Sequence, residues 1–305
     1  RNEHGLNDWS YEHCLPYFKS GETSDRTASD YRGGSGPLSV TKGIYNNPLY
    51  DAFLEAGAQA GQGSTDDPNG YDPEGVARLD ATRKNGRRCS AAIAHLRPAL
   101  KRGNISVYTG AQVSCILMSG KRAEGVEFFQ KGETHTAKAP EIIISGGAIN
   151  SPQLLILSGI GPKDHLTELG ISCTHALPGV GENLMDHANF ILQFESLKSF
   201  PIHRIDHPIR KTLAGAYWVF TRKGIAASNI WEAGGLIKSE AAASYPDLQY
   251  HFGPVGFEYT GNKITLNQAF AIHLDLLRPK SRGNVRLRSS NPSDKPILNF
   301  NYLDD

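Results

Sequence analysis

The chain has 305 residues, 39% of them hydrophobic, with a formal net charge of +1. That is enough apolar material for a sizeable core, and the absence of a basic excess points away from nucleic acid. No run approaches the roughly 18 apolar residues of a membrane span, and the opening RNEHGLNDWS is too polar for a signal peptide. Cys14, Cys89, Cys115 and Cys173 are scattered without a C-x-x-C pair. They read as structural or free thiols in a reducing compartment and not as a zinc site or disulfide framework.

Residues 1 to 80 are rich in turn formers, as in DYRGGSGPLSV and GQGSTDDPNGYDPEG, with one helix expected over Pro48 to Ala60. From about residue 88 the pattern changes to strands alternating with helices. RCSAAIAHLRPAL predicts a helix and ISVYT a strand, while QVSCILMSGKRAEGVEFF predicts two strands joined around Ser119, Gly120 and Lys121. The apolar run Ile142, Ile143 and Ile144 predicts a short buried strand. It leads into a helix with Ser151 as N-cap and Pro152 at the first helical position. Beyond residue 190 the segments ILQFES, EAGGLIKS, DLQYHFGPV, AFAIHLDLL and GNVRLRSS alternate in part, which predicts a mainly antiparallel sheet.

Between the run of isoleucines and the following helix stand Gly146 and Gly147. Glycines at the carboxyl end of a strand let a backbone approach a bulky anionic ligand, and a helix N-terminus favours negative charge, so a nucleotide phosphate is the leading functional reading. Tight packing is the plain alternative. The dinucleotide fingerprint G-x-G-x-x-G is absent from the chain.

The longer stretch GGAINSPQLLILSGIG, followed by LPGVGENLMDH, resembles the second signature of the glucose–methanol–choline oxidoreductases, FAD-dependent enzymes acting on alcohols. WSYEHCLPYF, NNPLYDAFLEAGAQAG, GKRAEGVEF, EAGGLIKS and PDLQYHF resemble the choline-oxidising branch of that family, so the likeness covers essentially the whole chain. The resemblance implies a mixed α/β fold with a Rossmann-like FAD domain and a substrate domain built on a mainly antiparallel sheet. It assigns residues 1–84 to a loop-rich segment shared by both domains, 85–187 to the FAD domain and 188–305 to the substrate domain. It also implies that the glycine-rich phosphate turn precedes Arg1 and that the catalytic His follows Asp305, leaving no catalytic base within this chain. The chain begins at Arg1 and stops at LNFNYLDD just after a strand-like segment, and so reads as an internal portion of a longer protein.

By the same resemblance, the strand holding Val113 passes the adenine of FAD, and Ser145, Gly146 and Gly147 lie beside the nucleotide. Asp186 and His187, adjacent in LMDH, are expected to be structural and not an acid–base dyad. The implied reaction is hydride transfer from choline to flavin, giving betaine aldehyde, with electrons passed on to an acceptor such as a membrane quinone. Peripheral membrane contact and a mitochondrial or bacterial inner-membrane location follow by analogy. A quaternary ammonium has no N–H to donate, so its site needs a carboxylate and aromatic faces. Trp231 and Glu232 in SNIWEAGG supply such a pair, with Glu232 as cation anchor, and His251 in LQYHF adds a third substrate-facing residue between Tyr250 and Phe252. Oxidation of another primary alcohol, or a homologue that has lost catalysis, is the competing expectation.

Overall fold

The computed structural model describes residues 5–200, 202–261 and 263–305, so the first four residues of the loop-rich segment lie outside the described part. Helix α1, Pro48–Gln59, starts where the Asn47 side chain accepts the Leu49 N–H at 3.0 Å and Pro48, with no N–H to lose, takes the first position. It ends one residue short of the expected Ala60. Strand β1, Gly75–Arg78, follows from within the turn-rich region. The RCSAAIAHLRPAL helix forms as a π-helical turn, Ala92–Leu96, running into a short α-helix, Arg97–Leu100. The chain divides into two compact units, one made of the residues up to Ile105 with Asn189–Leu277, the other of Ser106–Ala188 with Arg278–Asp305.

In the second of these units, β2 (Gln112–Ser119), β3 (Arg122–Gln130) and β4 (Glu133–Lys138) form an antiparallel meander. The expected turn at Ser119 to Lys121 joins the first two. Helix α2, Gly147–Leu157, packs on β2 and places Ile156 in a core with Leu166, Val180 and Leu287. Ser158 ties helix to sheet: its hydroxyl donates to the Leu154 carbonyl at 2.6 Å and accepts the Ile116 N–H at 2.8 Å.

Three local expectations are corrected here. Ile142, Ile143 and Ile144 pair with no strand among the described residues, and Ile143 is 82% exposed, because an apolar run without a neighbouring edge has no ladder to join. The helix begins five residues earlier than expected, with Gly146 as N-cap and Pro152 inside; the Ser151 hydroxyl accepts the Gly146 N–H at 3.0 Å from within the first turns. ISVYT forms no strand.

The other unit centres on a five-stranded antiparallel sheet. Its strands β5 (Asn189–Glu195), β6 (Ala233–Ile237), β7 (Leu248–Gly253) and β8 (Ala269–Leu276) join β1 in the order β5-β8-β7-β6-β1. Register decides the faces, since directly opposed residues share a side. Tyr250 pairs with Leu274 and Phe252 with Ile272, and this face meets α1. There Tyr50, Ala233 and Phe252 are fully buried, and Phe53 stacks on Phe252 with ring centroids 4.6 Å apart. Each such ring contributes about 2–3 kcal/mol by leaving water. The opposite face carries polar groups: His251 opposes His273, and Gln249 opposes Asp275. The mixed α/β architecture with antiparallel sheets therefore matches the fold class expected from the sequence.

Candidate functional site

Two places hold the residues singled out from the sequence, one in each unit. The first is a cavity of about 670 Å³, within the range of small-molecule sites. Its wall includes Val113 on β2, the extended run Ile142, Ile143 and Ile144, then Ser145, Gly146 and Asn150 at the start of α2. Three of the four expected nucleotide residues thus share one cavity. The fourth, Gly147, opens α2 with φ +81°, a left-handed backbone that a side chain would strain. No side chain caps the N-terminus of this helix of 11 residues. Its first N–H groups and partial positive charge suit an anionic or acceptor-rich ligand. Asp186 and His187 lie elsewhere: the Asp186 carboxylate accepts the Tyr302 hydroxyl at 2.6 Å and the backbone N–H of His187 at 2.9 Å, a structural arrangement.

The second place surrounds Ile230, Trp231 and Glu232. Ile230 has φ +73°, an outlier for a β-branched residue, and is held by two bonds: Tyr50 donates its hydroxyl to the Ile230 carbonyl at 2.5 Å, and the Ser228 hydroxyl accepts the Ile230 N–H at 2.9 Å. From this bend Trp231 lies over β7, where a Cβ on Gly253 would stand 2.6 Å from the ring, so only glycine leaves room. The indole meets His273 edge-on at 4.6 Å, and Phe257 approaches the same imidazole at 5.5 Å. Because His251 faces His273 across the strands, Trp231 and His251 are brought together around one shared neighbour.

Glu232 goes a different way. It is 1% exposed, and its Oε2 accepts the backbone N–H of Tyr45 beneath the segment around Gly43. Its Oε1 has no hydrogen bond, and the Nη1 of Arg83 stands 3.6 Å from it. That guanidinium is itself fixed by Thr41 Oγ1 at 3.0 Å and by the carbonyls of Lys42 at 2.7 Å and Ala227 at 2.9 Å. Burial, then the Glu232 charge, raises the hydroxyls of Tyr45 and Tyr50 above the usual tyrosine range.

Arg83, His273, Asp275 and Asn189 were not singled out from the sequence. Asp275 accepts from the Asn189 side chain at 2.7 Å, and its second oxygen lies 3.5 Å from His251 Nε2. Burial lowers both imidazoles below the ordinary histidine value, and Asp275 opposes that shift in each. The available signal was the spacing in AFAIHLDLL, which puts His273 and Asp275 two apart and hence on one face of a strand. No group of three or more His, Cys, Asp or Glu among the described residues is arranged to hold a metal.

The chain that carries these two places is similar in sequence to the GMC oxidoreductases. The sequence model of that family matches residues 1–189, and the chain belongs to the family. It is 44% identical to the human protein named choline dehydrogenase, mitochondrial, over 98% of this chain and 50% of that protein. An oxygen-dependent choline dehydrogenase of Pectobacterium atrosepticum is 45% identical over 98% of this chain and 54% of its own length. Among solved structures, pyridoxine 4-oxidase from Mesorbium loti superposes with a TM-score of 0.82 at 26% identity, over 98% of this chain and 55% of that one. The chain spans about half the length of the curated relatives it matches.

Proposed function

We propose that the protein carrying this chain is an FAD-dependent oxidoreductase that oxidises choline to betaine aldehyde. The observation that carries the reading is identity of 42–45% with choline dehydrogenases across 98% of the chain, which includes both candidate places. The cavity supports FAD on its own terms: an open helix N-terminus, the left-handed Gly147 and an apolar wall suit the nucleotide half of a flavin cofactor. In this reading the unit of residues 106–188 and 278–305 holds cofactor, and the sheet unit receives substrate.

Bound flavin supplies the acceptor for the hydride leaving the alcohol carbon. This chain supplies orientation and charge. A backbone group of Val113 would meet the adenine, and Ser145, Gly146 and Gly147 would hold the nucleotide. Trp231 offers the aromatic face for a trimethylammonium group, and neutral His251 accepts or donates a hydrogen bond at the substrate hydroxyl. Glu232 provides the anion, its Oε1 left without a hydrogen bond. The electron acceptor, a membrane quinone, and an inner-membrane location belong to the same proposal. The human and mouse relatives are named as mitochondrial. No helix among the described residues is long and apolar enough to cross a membrane.

Arg83 favours a second reading. A lone carboxylate about 5 Å from a cation is worth about 3 kcal/mol at an effective dielectric near 20, but a guanidinium 3.6 Å from Glu232 offsets much of that. A neutral primary alcohol would then serve as well as choline. The two readings separate on the flavin-loaded protein, by kcat/KM for choline against its neutral isostere 3,3-dimethylbutan-1-ol. Choline oxidation is expected to lead by at least about tenfold, as a net anionic site requires. A ratio near one supports the neutral alcohol, and no turnover of either removes both.

A further inference from the structure

We propose that Asp275 is a positioning residue for His251, fixing its imidazole with the proton on Nε2 so that Nδ1 is presented as an acceptor for a substrate hydroxyl. The inference rests on the reading of His251 as substrate-facing. It starts from where the sheet puts charge. Three adjacent strands contribute in order: Asn189 from β5 donates to Asp275 Oδ1 on β8 at 2.7 Å, and Asp275 Oδ2 stands 3.5 Å from His251 Nε2 on β7. Asp275 is only 14% exposed, and a carboxylate so placed persists only with partners that repay its lost hydration. Asn189 satisfies one oxygen and leaves the other 3.5 Å from the imidazole nitrogen.

The surroundings of His251 define the assignment. On the β8 side it meets His273 and Asp275; on the β6 side it meets Gly234, which has no side chain. Asp275 thus brings the negative charge that can select a tautomer, while burial disfavours the charged form of both imidazoles. A neutral ring whose Nε2–H points to a carboxylate has its lone pair on Nδ1. The separation of 3.5 Å is longer than a strong hydrogen bond, as is common before substrate closes a site. No net proton is consumed: the carboxylate stays ionised and acts through orientation.

The test is nitrogen-15 imidazole spectroscopy on the flavin-loaded protein, with His251 assigned by His251→Gln, together with the pH profile of kcat/KM. In the wild type the neutral ring is expected to carry its proton on Nε2. In Asp275→Asn, which keeps the shape, the His251 titration midpoint is expected to fall, the Nε2–H bias to vanish and kcat/KM to drop on the order of tenfold, equivalent to about 1.4 kcal/mol. A wild-type ring protonated on Nδ1, or a variant with unchanged midpoint and tautomer, overturns the proposal. Should Asp275→Asn fail to fold, the wild-type spectrum alone decides. The expected tautomer with no turnover of choline would sustain this inference while sinking the choline reading.

Discussion

The cavity beside α2 and the polar face of the five-stranded sheet are built by opposite strategies. The cavity draws on backbone: Ser145, Gly146 and Gly147 are consecutive, and the helix they open brings its own N–H groups and dipole. The sheet face draws on side chains far apart in sequence: Asn189, His251, His273 and Asp275 meet only through strand register. A contiguous backbone site tolerates change in most side chains but not in its few glycines. A register-built site has no dispensable strand, because a slip of one residue would send every member to the other face.

The largest expected effect lies at Arg83. In Arg83→Met the buried Glu232 loses its cation, and a loss of about 3–5 kcal/mol in stability is expected by urea unfolding. Hydrogen exchange should show the loosening in Leu38–Lys42 and Ala233–Ile237 and not in the helix beside the cavity. The double change Arg83→Met with Glu232→Leu should recover most of the loss, since it leaves no orphaned charge. Equal loosening in both units would show that they do not fail independently.

Ser158→Ala addresses the other unit. It strands the buried Ile116 N–H without an acceptor, and about 1–3 kcal/mol should be lost. Exchange should quicken in Gln112–Ser119 while the His251 face keeps its protection.

The smallest effect is pH dependence, and it falls on both units. His251 and His273 in the sheet, and His165 beside Leu287, are lowered, in each case first by burial. The unfolded chain therefore binds protons more readily than the folded one. The stability these groups contribute is full above the ordinary histidine value, near about 6.5, and is lost as pH falls through the folded values. Urea midpoints taken downward from about pH 7.5 should decline, and His273→Gln should flatten the decline. An unaltered slope would show that His273 is not among the groups responsible.

Legibility in the sequence follows the same divide. The β2–β3 hairpin could be read because alternation and the Ser119-Gly120-Lys121 turn agree, and α1 because Asn47 and Pro48 announce its start. Ile142 to Ile144 misled because apolar character reports burial propensity and not the presence of a partner strand. Ser151-Pro152 misled because the same two residues that make a good helix start also fit within one, once Gly146 and Gly147 have begun it. β4 escaped notice because ETHTAK is polar but for Ala137 and is held by its neighbour and not by a buried face. Trp231 and His251 were legible as types in a resembling motif, but their meeting at His273 was not, nor was the Arg83 charge beside Glu232. Those depend on which residues oppose one another, a quantity that local pattern does not carry.

The hydroxyl of Tyr50 lies on the α1 side of the sheet, yet it holds the carbonyl of Ile230, the bent residue just before Trp231. Bend and ring are therefore set together, as a latch is set by its catch. Without that hydroxyl only the Ser228 bond to the Ile230 N–H still holds the bend, and any relaxation there would re-aim the indole from a distance. Random mutagenesis scored only by expression would file Tyr50 with the packing residues, whereas, on the proposed role of Trp231, scoring by substrate preference would place it among those that choose the ligand.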